Sequence, residues 1–299
     1  MDRLSPLASP AATRAVLDAH DLSAKYTLGQ NFLVNDDVLR KVVDLAQLTG
    51  DDDVLEVGPG IGTLTIALLK SARRVASVEC DPDLPAVLAD TLAPWADRFT
   101  LIAKDALALQ PDDLPFRPNK LVSNLPYSVA ATVVLDQFQR TPSIGSATVM
   151  VQKEVAQRMA ASPGTKSYGA YTVKLRLYAQ VTGRFAVGPN NFYPPPRVDS
   201  AVVRLERRAV CDEDGRPLDG PALRAACTMA DAAFATRRKT LANSCKTYFA
   251  GRGASGALPP EALPALFERA GIDPRRRGET LDVPEFVRLG RAYRELARA

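Results

Sequence analysis

The stretch LEVGPGIGTLT, residues 55–65, constrains the fold more than any other. An apolar run, Val54–Val57, breaks into Gly-Pro-Gly-Ile-Gly, and a helical pattern then runs from Thr63 to about Ser71. Further apolar runs follow at Val75–Val78, Phe99–Ala103, Leu121–Ser123 and Ala147–Val151, with a helical pattern over Asp83–Leu92 and helical stretches after the last two runs. Strands alternating with helices predict a mostly parallel α/β sheet with right-handed crossovers. Val198–Glu206 alternates apolar and polar residues, which predicts a half-exposed edge strand. Arg207–Pro221, rich in charge, Gly and Pro, reads as a linker. Beyond it, Ala222–Phe249 and Pro260–Ala297 read as helices broken by Gly, Pro and Asp. The expected organisation is a catalytic sheet domain over 1–206, with a mobile stretch at 1–21, a linker at 207–221 and a small, mainly helical domain over 222–299.

Several classes of function are excluded by composition. No run approaches the ~18 uncharged apolar residues of a membrane span, and the first residues lack a charged-then-apolar signal segment, so a cytoplasmic protein is expected. Cys80, Cys211, Cys227 and Cys245 are widely spaced with no C-x-x-C pair, which argues against zinc and disulfides and for buried, reduced thiols. The single histidine, His20, leaves little room for a His base or for His metal ligands.

The ends of the predicted strands carry polar groups: Glu56, Glu79, Asp105 and Asn124. Each alone could be a cap or turn residue. Together they occupy the carboxyl edge of a parallel sheet, where doubly wound folds bind ligands. Gly58, Gly60 and Gly62 allow a tight turn and close approach to a ligand. A dinucleotide fingerprint would need glycine at the position of Thr63, and no Walker lysine follows. Glu79 is suitably placed to accept bonds from two ribose hydroxyls. A nucleoside without a pyrophosphate, S-adenosylmethionine, fits these features; on spacing alone an atypical nicotinamide fold remains its rival.

Charge is distributed unevenly. Residues 1–205 hold 21 Lys+Arg and 21 Asp+Glu, whereas residues 206–299 hold 17 and 13, so the whole net charge of +4 lies in the last third. Arg237-Arg238-Lys239 and Arg275-Arg276-Arg277 cluster there, either as solvated helix surface or as a face that meets phosphates.

YTLGQNFL (26–33), LEVGPGIGTLT (55–65), VECD (78–81), KDAL (104–107), NLPY (124–127) and FYPPPRVDSAVVRL (192–205) occur in a fixed order that resembles the ribosomal RNA adenine dimethyltransferase family. QKEVAQRM (152–159), AFATRRKTLANS (233–244) and GIDPRRRGETL (271–281) extend the likeness and favour its small-subunit branch. The resemblance implies a class I S-adenosylmethionine-dependent methyltransferase, Rossmann-like, with a helical carboxy-terminal domain. Its implied cofactor contacts are Asn31, Leu33, Gly58, Gly60, Glu79, Asp105 and Asn124. The implied substrate is a pair of adjacent adenosines near the 3′ end of 16S rRNA in the small subunit, methylated by a monomer without a metal, with Arg237, Arg238 and Lys239 binding RNA.

The chemistry of Asn-Leu-Pro-Tyr then follows. An adenine amine is a poor nucleophile, because its lone pair is delocalised into the ring. The Asn124 side-chain oxygen and the Leu125 carbonyl can accept its two N–H bonds and point the lone pair at the methyl group. Pro126 restricts Leu125 to extended conformations and aims that carbonyl. Tyr127 offers a face for an extruded base, and Phe192 resembles the family's second aromatic face, stiffened by Pro194-Pro195-Pro196. Ser128 stands where the family commonly has Asn, and Cys80 where it has an aliphatic residue. Other readings are a large-subunit rRNA or DNA adenine methyltransferase, and a mainly non-enzymatic assembly factor.

Overall fold

A computed structural model describes residues 3–251 and 258–297. Contacts group the chain into two units, Met1–Ala156 with Val181–Arg207, and Gln157–Gln180 with Arg208–Ala299. The stretch around helix α7 (Ala170–Arg176) therefore clusters with the carboxy-terminal helices rather than with the sheet.

The first unit is built on the expected strands: β2 (Asp53–Val57), β3 (Arg74–Glu79), β4 (Phe99–Ala103), β5 (Lys120–Asn124) and β6 (Ser146–Gln152). A short β1 (Phe32–Leu33) pairs with β8 (Phe192–Tyr193) outside the main sheet. The main sheet runs β4-β3-β2-β5-β6-β9-β7, with β7 at Ala179–Val187 and β9 at Ser200–Arg207. Strands β2 to β6 are parallel, and β9 is antiparallel to β6. The sheet is thus mixed α/β, and its order reverses direction between β2 and β5.

Helices α2 (Asp36–Ala46), α3 (Thr63–Ser71), α4 (Leu84–Thr91) and α5 (Ala130–Arg140) accompany these strands. Every residue of α3 from Thr63 to Leu69 is buried, as for a helix enclosed on all sides. The core joins Leu39 and Val42 of α2, Ile66 and Leu68 of α3, Val54, Val75 and Val122 of the sheet, and Val87 and Leu88 of α4.

Two expectations are corrected, on the strand at 198–206 and on the cysteines. The strand expected at 198–206 is not an edge: β9 lies between β6 and β7, and its first six residues are buried. The edge is β7, whose alternation of exposed and covered residues belongs to an edge strand. From residue 4 onward, the stretch before residue 21 is built into the fold. Ser9 caps helix α1 (Pro10–Ala19), Leu7 and Leu17 are buried, and Asp36 Oδ1 accepts the N–H groups of Leu4 and Ser5 at 2.8 and 3.1 Å. His20 Nε2 lies 3.2 Å from Asp90 Oδ2. Finally, only Cys227 and Cys245 are buried; Cys80 and Cys211 are exposed, and all four are free thiols.

Helix α6 (Lys153–Ala160) is shared by the two units, and in the second α7 packs on α8 (Gly220–Phe234). Helices α9 (Leu241–Ala250), α10 (Leu263–Ala270) and α11 (Val283–Leu296) complete it. Among the described residues no helix is long and apolar enough to cross a membrane.

Candidate active site

The crevice begins where two strands part. β2 pairs with β5 only at Val54–Lys120 and Leu55–Leu121, whereas β5 pairs with β6 along its whole length. Beyond Leu55 the ladder stops, and the Val57 N–H is satisfied by Ser123 Oγ at 2.7 Å. This parting at the reversal of strand order is where open α/β sheets take ligands. The cleft is open to solvent. Its wall is made of residues 28–33, the glycine turn, Glu79 and Cys80, and the run Asn124–Tyr127.

The glycine turn is tied to both neighbouring walls. Gly58 has φ +72°, and a Cβ there would sit 3.2 Å from Pro126 Cδ. Gly60 has φ +59°, and its Cβ would come within 2.9 Å of the Phe32 ring. Any side chain at either position is strained and crowds a wall of the cleft. Glu79, 8% exposed, accepts the N–H groups of Cys80 and Asp81 on Oε1, both at 2.9 Å. Burial raises its carboxyl above the ordinary range, although these bonds and one from the Gly60 N–H oppose the rise.

The Asn124 amide is oriented. Its Nδ2 donates to the Asn31 carbonyl at 3.1 Å, and its Oδ1 accepts nothing among the described residues. The Leu125 N–H is fixed by Met150 O at 3.1 Å, while its carbonyl likewise accepts no bond there. Both acceptors belong to residues that line the cleft. Tyr127 is half-buried, with its hydroxyl 2.5 Å from Ser200 Oγ.

Phe192 is the second expected aromatic. It is 3% exposed, pairs with Leu33 across β1 and β8, and belongs to the core rather than to the lining of the cleft. Asn31, Leu33, Gly58, Gly60 and Glu79 all line the cleft. Asp105 does not: it caps a short 3-10 turn, accepting the Leu107 N–H at 2.8 Å, and is exposed at the rim. Its charge still reaches the cleft, since burial and then the charges of Glu79 and Asp105 push the Cys80 thiol up.

Glu56 stands apart from the other strand-end carboxylates. It is 1% exposed, Oε2 accepts from Thr65 and Ser77 hydroxyls at 2.7 Å each, and Oε1 has no partner. Burial pushes its carboxyl up to about 7, with the hydroxyls opposing and Glu79 adding. It supports the site from inside the fold rather than facing the cleft.

A latch not expected from the sequence fastens the segment over the cleft. Lys25 Nζ bonds Asp81 at 2.6 Å and Asp83 at 2.5 Å, and Gln30 Nε2 donates to Asp81 at 2.7 Å. Burial works against the Asp81 charge, yet these donors hold its carboxyl below the usual range. The only signal in the sequence was the polar character of Lys25 and Gln30 beside the glycine.

In the second unit, Arg237, Arg238 and Lys239 are exposed, but on a turn between α8 and α9 rather than on a helix. Arg237 donates to the Lys166 carbonyl and lies 3.6 Å from Glu279, whereas Arg238 and Lys239 make no ion pair among the described residues. Of the other basic cluster, Arg275 is bound to Asp273 and Arg276 to Glu285.

Comparison with known proteins gives this geometry its family. A family model described as ribosomal RNA adenine dimethylase matches residues 21–258. A protein of Rhodococcus opacus named ribosomal RNA small subunit methyltransferase A is 43% identical over 291 residues, covering 96% of this chain and 95% of its own. Its namesake in Corynebacterium diphtheriae is 42% identical, covering 95% of each. Among solved structures, the 23S rRNA methyltransferase ErmE is 27% identical with a TM-score of 0.63, covering 88% of this chain and all of that one. A dimethyladenosine transferase from Plasmodium falciparum shares the fold, with a TM-score of 0.71 at 23% identity, covering 89% and 98%. The cleft, the strand order and the sequence agree: this chain belongs to the ribosomal RNA adenine dimethylase family.

Proposed function

We propose that this chain transfers methyl groups from S-adenosylmethionine to the N6 amines of two adjacent adenosines near the 3′ end of small-subunit (16S) rRNA, acting as a cytoplasmic monomer during subunit biogenesis. Relatives more than 40% identical over nearly their whole length carry the small-subunit name, which supports that substrate over large-subunit RNA or DNA.

The residues present fit the cofactor. Glu79 offers a buried carboxylate at the ribose position, and Thr63 lines the cleft with its Oγ1 buried and unpartnered among the described residues. Asn31, Leu33, Gly58 and Gly60 would hold the cofactor, with Asp105 at the rim for its adenine amine. When bound, S-adenosylmethionine supplies an electrophilic methyl group on a sulfonium.

One observation carries the chemical reading. The Asn31 carbonyl holds the Asn124 amide nitrogen, so Oδ1 and the Leu125 carbonyl stand as two unengaged acceptors. Accepting both N–H bonds of an adenine amine, they would fix its hydrogens and direct its lone pair toward the methyl group. Such preorganised acceptors act on the transition state without reorganisation. Tyr127 would stack on the extruded base, its ring held in place by Ser200. The amine's proton is lost after attack, so no general base is required for the transfer itself.

The test supplies labelled cofactor with unmethylated small subunits, large-subunit RNA and DNA, and maps the product. N6,N6-dimethyladenosine at two adjacent small-subunit positions supports the reading. Label confined to large-subunit RNA or DNA, or none despite tight subunit binding, overturns it in favour of the other readings.

A further inference from the structure

We propose that Tyr26 and Arg197 form a stacking platform at the mouth of the cleft for the nucleotide next to the target adenosine. The proposal rests on the adenosine-methylating reading above and deepens it. Tyr26 is 83% exposed, followed by Val198 at 44% and Leu107 at 42% among large apolar side chains. Tyr26 stands on a segment that borders the cleft. Tyr26 comes two residues before Leu28, which lines it; Val198 comes two before Ser200, which anchors Tyr127; and Leu107 donates its N–H to Asp105. One exposed aromatic is ordinary by itself, and what stands beside this one gives it meaning.

Arg197 decides what kind of partner. Its guanidinium lies 5.9 Å from the Tyr26 ring centroid, and it makes no ion pair among the described residues. The neighbouring carboxylate, Asp199, is already bound to Lys153 at 3.1 Å. An open ring beside an unneutralised cation suits a base joined to a phosphate, the combination by which proteins grip single-stranded nucleic acid. The ring is also presented on a fixed support. Tyr26 opens a short 3-10 turn closed by Gly29 at φ +66°, and the Lys25–Asp81 and Gln30–Asp81 bonds fasten both ends of that turn. Extruding one base exposes its neighbours, and a platform for one of them would offset part of the lost stacking.

The test measures methylation of small subunits by Tyr26→Ala, Tyr26→Phe and Arg197→Gln, with cofactor affinity measured separately. A second measurement follows the quenching of 2-aminopurine placed beside an adenosine in a short single-stranded RNA. Tyr26→Ala is expected to raise KM for the subunit about tenfold and to lose the quenching, while Tyr26→Phe keeps both. Arg197→Gln is expected to lower the salt slope of RNA binding by about one. Cofactor affinity is expected to stay at the wild-type value in all three. Unchanged KM and quenching in Tyr26→Ala would overturn the platform, and so would a loss of cofactor affinity, which would make Tyr26 part of the cofactor cover. If the wild type fails to methylate the subunit, the functional reading falls, while the quenching contrast between wild type and Tyr26→Ala still decides the platform.

Discussion

At the scale of single residues, the site depends on polar groups whose partners are chosen for them. Glu56 is the clearest case, with one oxygen held by two hydroxyls and the other buried alone. Its folded carboxyl titrates at about 7 against an ordinary value of 4.5. Between those pH values the folded protein keeps a proton that the unfolded chain has released. Stability therefore falls as pH rises through that window, by about 3 kcal/mol, and is level above it. Glu56→Gln keeps an acceptor for Thr65 and Ser77 but cannot ionise. Urea melts from pH 5 to 8 are expected to show the variant gaining on the wild type as pH rises; parallel curves would contradict a buried, protonated Glu56. Tyr127 offers a second test. Tyr127→Phe loses only the Ser200 bond, about 1 kcal/mol or roughly fivefold in kcat/KM. Tyr127→Ala also loses the ring face, about 1–3 kcal/mol more. Equal losses would assign the role to the hydroxyl.

At the scale of elements, close approach replaces side chains where helices cross. A Cβ on Gly290 of α11 would lie 2.6 Å from Ala226 N in α8, on backbone that cannot rotate away. Gly290→Ala is expected to cost about 1–3 kcal/mol and to lower Tm, with cofactor affinity kept; an unchanged Tm would contradict the tight crossing. Elements with strong local patterns were legible in the sequence. The Gly-Pro-Gly-Ile-Gly turn and the five parallel strands follow from apolar runs and glycine alone. What was not legible depends on distant partners. Val198–Glu206 alternates in the sequence, yet β7 covers the outer edge of β9. The break between α8 and α9 contains no Gly or Pro; it is set by Thr240 capping α9 and by Ser244 accepting the Thr236 N–H. In the site, Asn124 and Glu79 were visible as strand-end polar groups. Ser123, Ser200 and the Lys25–Asp81 latch were not, because each is defined by a bond across more than fifty residues. Phe192 is likewise placed by a distant partner, since it pairs with Leu33 across β1 and β8.

At the scale of the whole molecule, charge and chemistry are carried by different parts of the chain. The excess of Lys+Arg lies in residues 206–299, while the cleft is built from residues 28–33, 58–64, 79–84 and 124–127. Replacing Arg237, Arg238 and Lys239 together by Gln is expected to weaken subunit binding and to lower its salt slope by about two, because Arg237 is already engaged by Lys166 and Glu279. Coincident salt series for wild type and variant would leave that turn without a role in RNA binding. The converse substitution is Asn124→Ala, which removes one arm of the clamp and nothing from the basic surface. The most direct measurement is single-turnover methylation of a preformed complex with unmethylated small subunits. Asn124→Ala is expected to bind the subunit as the wild type does and to transfer methyl at least about a hundredfold more slowly. Transfer within a few-fold of the wild-type rate would contradict the clamp.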